Sequence, residues 1–94
     1  MKRPTNSDTR EVIVVGGGIA GLSAAIYLGR AQRDVVVIDS GHSMAKWEPV
    51  VQNYLGFPKG IGGEELLKNG RTQARRYKAR IIRATPTKAG IPRF

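Results

Sequence analysis

Two short runs of consecutive apolar residues stand out in the first half of the chain, at residues 12–15 and 35–38. Both runs are rich in β-branched side chains and lack polar alternation, which is typical of parallel strands with both faces buried. From Ile19 onward apolar residues recur every three or four positions, and this spacing predicts an amphipathic helix of roughly 14 residues. Because such a helix can supply the right-handed crossover between parallel strands, the sequence predicts a βαβ unit.

The second half of the chain predicts a long loop, a second helix and a third strand. Residues 40–62 are rich in glycine and polar residues, and a loop of this length in a compact domain is usually functional. Glu64 and Glu65 mark a helix start, because acidic side chains are favoured at the positive end of the helix dipole. Residues 79–84 then predict a strand. The predicted fold class is α/β, with a short parallel sheet and a second helix.

The domain organisation predicted from the sequence is simple. Residues 1–10 are polar and predict a flexible tail, and residues 11–94 are predicted to form one domain. No secretory signal pattern is present, and no apolar run approaches the roughly 18 residues of a membrane span. The expected location is therefore the cytoplasm, with no membrane partner.

Composition and charge limit the kinds of site and partner that the chain can have. The chain has no cysteine, which excludes disulfides, thiolate metal sites and cysteine nucleophiles within it. The net charge is +9, and from Lys59 onward ten basic residues face only two acidic ones. No nucleic-acid-binding motif accompanies this bias, so a solvated helix face is the preferred interpretation and a nucleic-acid partner the less favoured alternative.

A glycine motif follows the first predicted strand. Gly16, Gly18 and Gly21 match G-x-G-x-x-G: the first allows a tight turn, the second lets a pyrophosphate approach, and the third lets the helix pack closely. The free N–H groups and the dipole of the helix start favour phosphate. Asp39 ends the second strand, where a carboxylate can accept hydrogen bonds from a ribose diol. Ser40 follows instead of a cation, which disfavours NADP but leaves FAD and NAD open. The motif therefore predicts that residues 11–94 are a partial Rossmann-like FAD/NAD(P)-binding domain.

The run EVIVVGGGIAGLSAAIYLGRAQRDVVVIDSG, followed by VQNYLGFPKGIGGEELLKNGRTQARRYKARI, resembles the thioredoxin-reductase-like, FAD-dependent pyridine nucleotide-disulfide oxidoreductases. The similarity covers residues 11–82. The second run discriminates best, because Asn-aromatic-x-Gly-Phe-Pro before Gly-x-x-Gly-x-Glu-Leu is typical of this family and not of NAD dehydrogenases. The resemblance implies that FAD is the cofactor, with these contacts: Gly16, Gly18, Ala20, Gly21, Asp39, Ser40 and, near the flavin, Asn53.

The chain also departs from the family pattern. Residues 41–47 lack the Gly-Gly-Gln of thioredoxin reductases proper, so a thioredoxin substrate is not expected. The NAD(P)H domain with its cysteine pair and the closing FAD segment are not in this sequence. The expectation is an N-terminal fragment of the FAD domain of an NAD(P)H-dependent flavin oxidoreductase, whose full-length relatives form homodimers. NAD(P)H is expected only for a complete member.

Two alternatives remain open at this point, a truncated product without independent activity and a basic nucleic-acid-binding module. No catalytic residue and no metal ligand is predicted within the chain.

Overall fold

The computed structural model describes residues 10–86, so residues 1–9 of the predicted tail and residues 87–94 of the predicted domain lie outside the described part. The predicted elements are confirmed. The chain order is β1 (Val12–Val15), α1 (Ile19–Arg30), β2 (Val35–Asp39), a short 3-10 helix (Met44–Trp47), α2 (Gly63–Arg76) and β3 (Arg80–Arg83).

The three strands form one parallel sheet in the order β1-β2-β3. Val12 pairs with Val35 across the first interface, and Val36 pairs with Arg80 across the second. The helices are the two crossovers, and they pack against each other as well as against the strands that they connect. Two successive right-handed crossovers that step in the same direction place their helices on the same face of a sheet. All three strands therefore end at one edge, and both helices cover one face.

The hydrophobic core lies between this helical layer and the sheet. Leu22 and Ala25 of α1 pack with Val35 and Val37 of β2, and Leu67 of α2 completes the contact. These residues are at most 3% exposed. The helical spacing of apolar residues from Ile19 onward thus correctly predicted that α1 has a buried stripe.

One prediction for the strands is wrong. Val12–Val15 was predicted to be buried on both faces, but Ile13 is 46% exposed and Val15 is 61% exposed. The strand alternates between half-buried and exposed positions, whereas β2 is buried along its whole length. The reason is position in the sheet: β2 has a neighbouring strand on each side, while β1 is an edge strand with a neighbouring strand on one side only.

Glu11 is hydrogen-bonded to Asp34, the residue that precedes β2. Its Oε2 atom accepts a hydrogen bond from the Asp34 N–H at 2.9 Å, and its Oε1 atom lies 3.5 Å from Arg33 Nη1. We expect Glu11→Ala to lower the free energy of unfolding by about 1 kcal/mol, the usual net value of one hydrogen bond. Arg33→Ala should cost less than about 0.5 kcal/mol, because an exposed ion pair contributes little.

Urea unfolding of the two variants beside the parent chain measures both values. Both variants lose the ion pair, and only Glu11→Ala also loses the hydrogen bond to the Asp34 N–H. Because salt screens the exposed ion pair more than the hydrogen bond, added salt should leave the difference between the two variants nearly unchanged. A cost for Arg33→Ala equal to that of Glu11→Ala would contradict this assignment.

Within residues 10–86, neither helix has the length or the apolar character needed to cross a membrane.

Candidate functional site

The glycine turn leaves β1 and leads directly into α1. Gly16 has φ +109°, a left-handed conformation that glycine adopts without strain. Its N–H donates to the Ile38 carbonyl oxygen at 2.9 Å, which ties the turn to the neighbouring strand. The turn therefore begins where β1 and β2 are still paired, and its position relative to the end of β2 is fixed by the sheet.

Close packing explains why three further glycines occupy this turn. A Cβ on Gly21 would overlap the carbonyl oxygen of Gly16, so the first turn of α1 rests directly on the glycine turn. A Cβ on Gly17 would lie 2.7 Å from Cβ of Asp39, and one on Gly18 would lie 3.1 Å from Oγ of Ser43. Gly17 and Ser43 were not among the predicted site residues. The motif treats position 17 as variable, and the only signal for it was the unbroken run of three glycines.

The N-terminus of α1 is free of side-chain capping. Gly18 is the N-cap residue, it makes no side-chain cap hydrogen bond, and the first helical turn contains no acidic residue. The Leu22 N–H donates to the Gly18 carbonyl oxygen at 2.9 Å, so the N–H groups of residues 19–21 precede the helical ladder. Ala20 is exposed in this turn. A helix start with available N–H groups and no competing carboxylate is suited to bind an anion.

Asp39 brings a carboxylate to the same edge of the sheet. It is only 7% exposed, and its Oδ1 atom accepts a hydrogen bond from the Gly41 N–H at 2.8 Å. Among the described contacts no donor reaches Oδ2, which leaves this oxygen to accept hydrogen bonds from a ligand. The adjacent Ser40 is half-buried, and its Oγ atom accepts a hydrogen bond from the His42 N–H at 3.4 Å.

The structure thus brings the predicted glycines and Asp39 together, because parallel neighbouring strands end side by side. Asn53 is the exception among the predicted site residues. It is exposed on the long loop, in a shallow depression formed by residues 48–53. None of its contacts described for residues 10–86 joins it to the glycine turn.

The predicted long loop is more ordered than its composition suggested. It contains the 3-10 helix and an antiparallel bridge between Val51 and Ile61. The Gly63 N–H donates to the Glu48 carbonyl oxygen at 2.9 Å, and a Cβ on Gly63 would overlap the carbonyl oxygen of Ala45. The loop is therefore docked against the start of α2.

The aromatic residues Tyr54 and Phe57 of this loop face the two helices. Their ring centroids are 6.2 Å apart. Together with Ile19, Leu22 and Leu67 they line a cavity of about 120 Å³ between α1 and α2. This cavity could not be read from the sequence, because it depends on how the loop folds back over the helices.

Comparisons with known proteins agree with this geometry. The family model described as pyridine nucleotide-disulphide oxidoreductase matches residues 10–89. The chain is 42% identical over 81 residues to a thioredoxin reductase of Streptomyces coelicolor, covering 81% of this chain and 24% of that protein. It is 35% identical over 88 residues to a thioredoxin reductase of Penicillium chrysogenum, covering 86% of this chain and 26% of that protein. The chain spans about a quarter of the length of these curated relatives.

Solved structures give the same result. A thioredoxin reductase from Gloeobacter violaceus superimposes with a TM-score of 0.80 at 29% identity, over 86% of this chain and 28% of that one. An atypical thioredoxin reductase from Desulfovibrio vulgaris Hildenborough superimposes with a TM-score of 0.77 at 31% identity, over 90% of this chain and 33% of that one. The matched part is the Rossmann-like N-terminal region of those proteins.

Proposed function

The chain belongs to the pyridine nucleotide-disulphide oxidoreductase family, and from this premise we propose that it is the FAD-binding N-terminal portion of a flavin oxidoreductase that resembles thioredoxin reductase. The single observation that carries the proposal is the juxtaposition of an uncapped helix start with a buried carboxylate at the end of the next strand. These two features suit the pyrophosphate and the adenosine ribose of a dinucleotide.

The pyrophosphate is assigned to residues 16–21. Space for it comes from the glycines, since a Cβ on Gly18 would project toward Ser43 and narrow the approach to the helix start. Favourable charge comes from the N–H groups of residues 19–21, which precede the helical ladder and include Ala20. The turn itself stays in place because Gly16 is hydrogen-bonded to β2.

The adenosine ribose is assigned to Asp39 and Ser40. The Gly41 N–H orients the Asp39 carboxylate through Oδ1, and Oδ2 is left to accept from the ribose hydroxyls. Asn53 is assigned to the flavin end through the family resemblance, and its exposure leaves its amide accessible to a ligand.

FAD is preferred over NAD and NADP through the family resemblance. When bound, the isoalloxazine supplies the redox chemistry, while the protein binds and orients it. For the complete protein we propose an NAD(P)H-dependent oxidoreductase that forms a homodimer in the cytoplasm. Nucleic acid is not proposed as a partner, because no nucleic-acid-binding motif accompanies the exposed cations of α2, such as Arg75 and Arg76.

Purification in the presence of FAD, followed by gel filtration, tests the proposal. We expect the protein peak to carry the visible absorption bands of flavin. These bands should persist when NAD⁺ is present in excess. A colourless protein peak from a correctly folded chain would contradict the proposal for this chain. Circular dichroism of the same fraction establishes whether the chain is folded.

A second candidate, a folded product without independent activity, is favoured by one specific observation. The face of β1 opposite the helices exposes Ile13 and Val15, and exposed strand edges and apolar sheet faces promote self-association. This candidate predicts a colourless protein whose apparent mass rises with concentration. Flavin retention in a monomeric fraction would exclude it.

A further inference from the structure

The ends of the three parallel strands form a row along one edge of the sheet. The glycine turn follows β1, Asp39 ends β2, and Arg83 ends β3. Neighbouring strands lie about 4.8 Å apart, close to the size of one sugar or one phosphate group. An extended ligand that runs across this edge therefore meets the three strand ends in order.

Arg83 is held beside the turn that follows Asp39. The two residues are register partners in the parallel ladder, so their side chains project from the same face. The Ala84 N–H donates to the Asp39 carbonyl oxygen at 3.1 Å, which fixes the two strand ends together. A Cβ on Gly41 would lie 2.5 Å from Nη1 and 2.9 Å from Cζ of Arg83, so the guanidinium rests against the glycine backbone.

The guanidinium is available to a ligand. Arg83 is exposed, and among residues 10–86 no carboxylate lies within ion-pair distance of it. Gly41 has φ +83°, which only glycine adopts without strain, and its missing side chain makes the room that the guanidinium occupies. A planar cation without a carboxylate partner among the described residues is suited to stack on an aromatic ring and to donate to ring nitrogens.

We propose that the Arg83 guanidinium binds the adenine ring of the dinucleotide. The proposal rests on the proposed function, which puts the pyrophosphate at the end of β1 and the ribose at the end of β2. The base is joined to the ribose on the side away from the 5′-pyrophosphate, so it extends toward the end of β3. Arg83 therefore contributes to the specificity for adenosine, together with the predicted contact between Asp39 and the ribose. Its side chain was not singled out from the sequence.

The test compares Arg83→Ala and Arg83→Lys with the control Arg80→Ala, which removes an exposed cation from the other end of the same strand. Dissociation constants for FAD and FMN are measured by flavin fluorescence, and those for ADP by calorimetry. We expect Arg83→Ala to weaken FAD and ADP by about fivefold or more, as the loss of a guanidinium–ring contact implies. Arg83→Lys should recover part of this loss. The dissociation constant for FMN, which has no adenine, and all values for Arg80→Ala should be unchanged.

The other outcomes contradict the adenine contact, the proposed cofactor, or both. Unchanged affinity of Arg83→Ala for FAD and ADP, or an equal loss for FMN, would contradict the contact with adenine. A parent chain that binds ADP but not FAD would contradict the proposed cofactor, and the dependence of ADP affinity on Arg83 would still decide the adenine contact. A folded parent chain that binds neither would overturn both proposals.

Discussion

Replacing Gly21 by alanine is expected to lower the free energy of unfolding by about 3 kcal/mol, the upper part of the range for overpacked sites, and to abolish FAD binding. The added Cβ would overlap the Gly16 carbonyl oxygen and lie 3.2 Å from Cγ1 of Val14. The obstructing oxygen is a backbone atom of a turn that is hydrogen-bonded to β2, so no side-chain rotation relieves the overlap. The start of α1 would have to move away from β1, and the N–H groups proposed for the pyrophosphate would move with it.

Gly70→Ala is the matched control, because it makes the same chemical change inside a helix. Its Cβ would lie 3.1 Å from Cδ1 of Leu22, a buried side chain that lines the cavity between the helices and so has room to shift. The gain in helix propensity, up to about 1 kcal/mol, offsets the crowding. We expect its stability to stay within about 1 kcal/mol of the parent chain, with FAD binding retained. Urea unfolding followed by circular dichroism measures both variants. Equal costs for Gly21→Ala and Gly70→Ala would refute the close approach at Gly21.

Asp39→Asn is expected to weaken FAD binding by about thirtyfold, because hydrogen bonds to a charged group contribute roughly 1.5–3 kcal/mol. The amide oxygen can still accept from the Gly41 N–H, so the turn after β2 should be preserved. The ribose hydroxyls would lose a charged acceptor at Oδ2. Unfolding stability should therefore change much less than ligand affinity, which separates a binding role from a structural one.

Asp34→Asn provides the control for this charge change. Asp34 immediately precedes β2, at the end of the strand opposite Asp39, and makes its described hydrogen bonds through its backbone. Fluorescence titration with FAD should give the parent dissociation constant for Asp34→Asn. If both variants weaken FAD equally, the effect comes from net charge and Asp39 does not bind the ribose.

Much of the fold could be predicted from local patterns. The change from a continuous apolar run to helical spacing at Ile19 correctly located β1 and α1, and Glu64 with Glu65 correctly marked the start of α2. The burial of β1 was predicted wrongly, because an apolar run shows that a strand can be buried but does not show which elements cover it. The fully buried β2 and the half-exposed β1 have almost the same composition and differ in their place in the sheet.

The residues of the candidate site also differ in how far their positions could be predicted from the sequence. The proximity of Gly16, Gly21 and Asp39 could be predicted, because strand–turn–helix–strand connectivity fixes where the first glycines and the next strand end must meet. The positions of Gly17 and Arg83 could not be predicted, because they depend on the packing of Gly17 against Asp39 and on the pairing of β3 with β2. The proximity of Asn53 to the flavin stays a prediction, since the contacts described for that loop do not reach the glycine turn.

The most direct test of the proposed cofactor site is an NMR titration of the ¹⁵N-labelled chain with FAD, because the proposed ligands of the pyrophosphate are backbone N–H groups. The largest shifts in amide signals are expected for residues 16–21, followed by residues 39–41. The exposed cations of residues 75–78 should shift little, and FMN at the same concentration should leave residues 39–41 unchanged. Shifts confined to residues 75–78, or their absence from residues 16–21 at saturating FAD, would contradict binding of the pyrophosphate at the glycine turn.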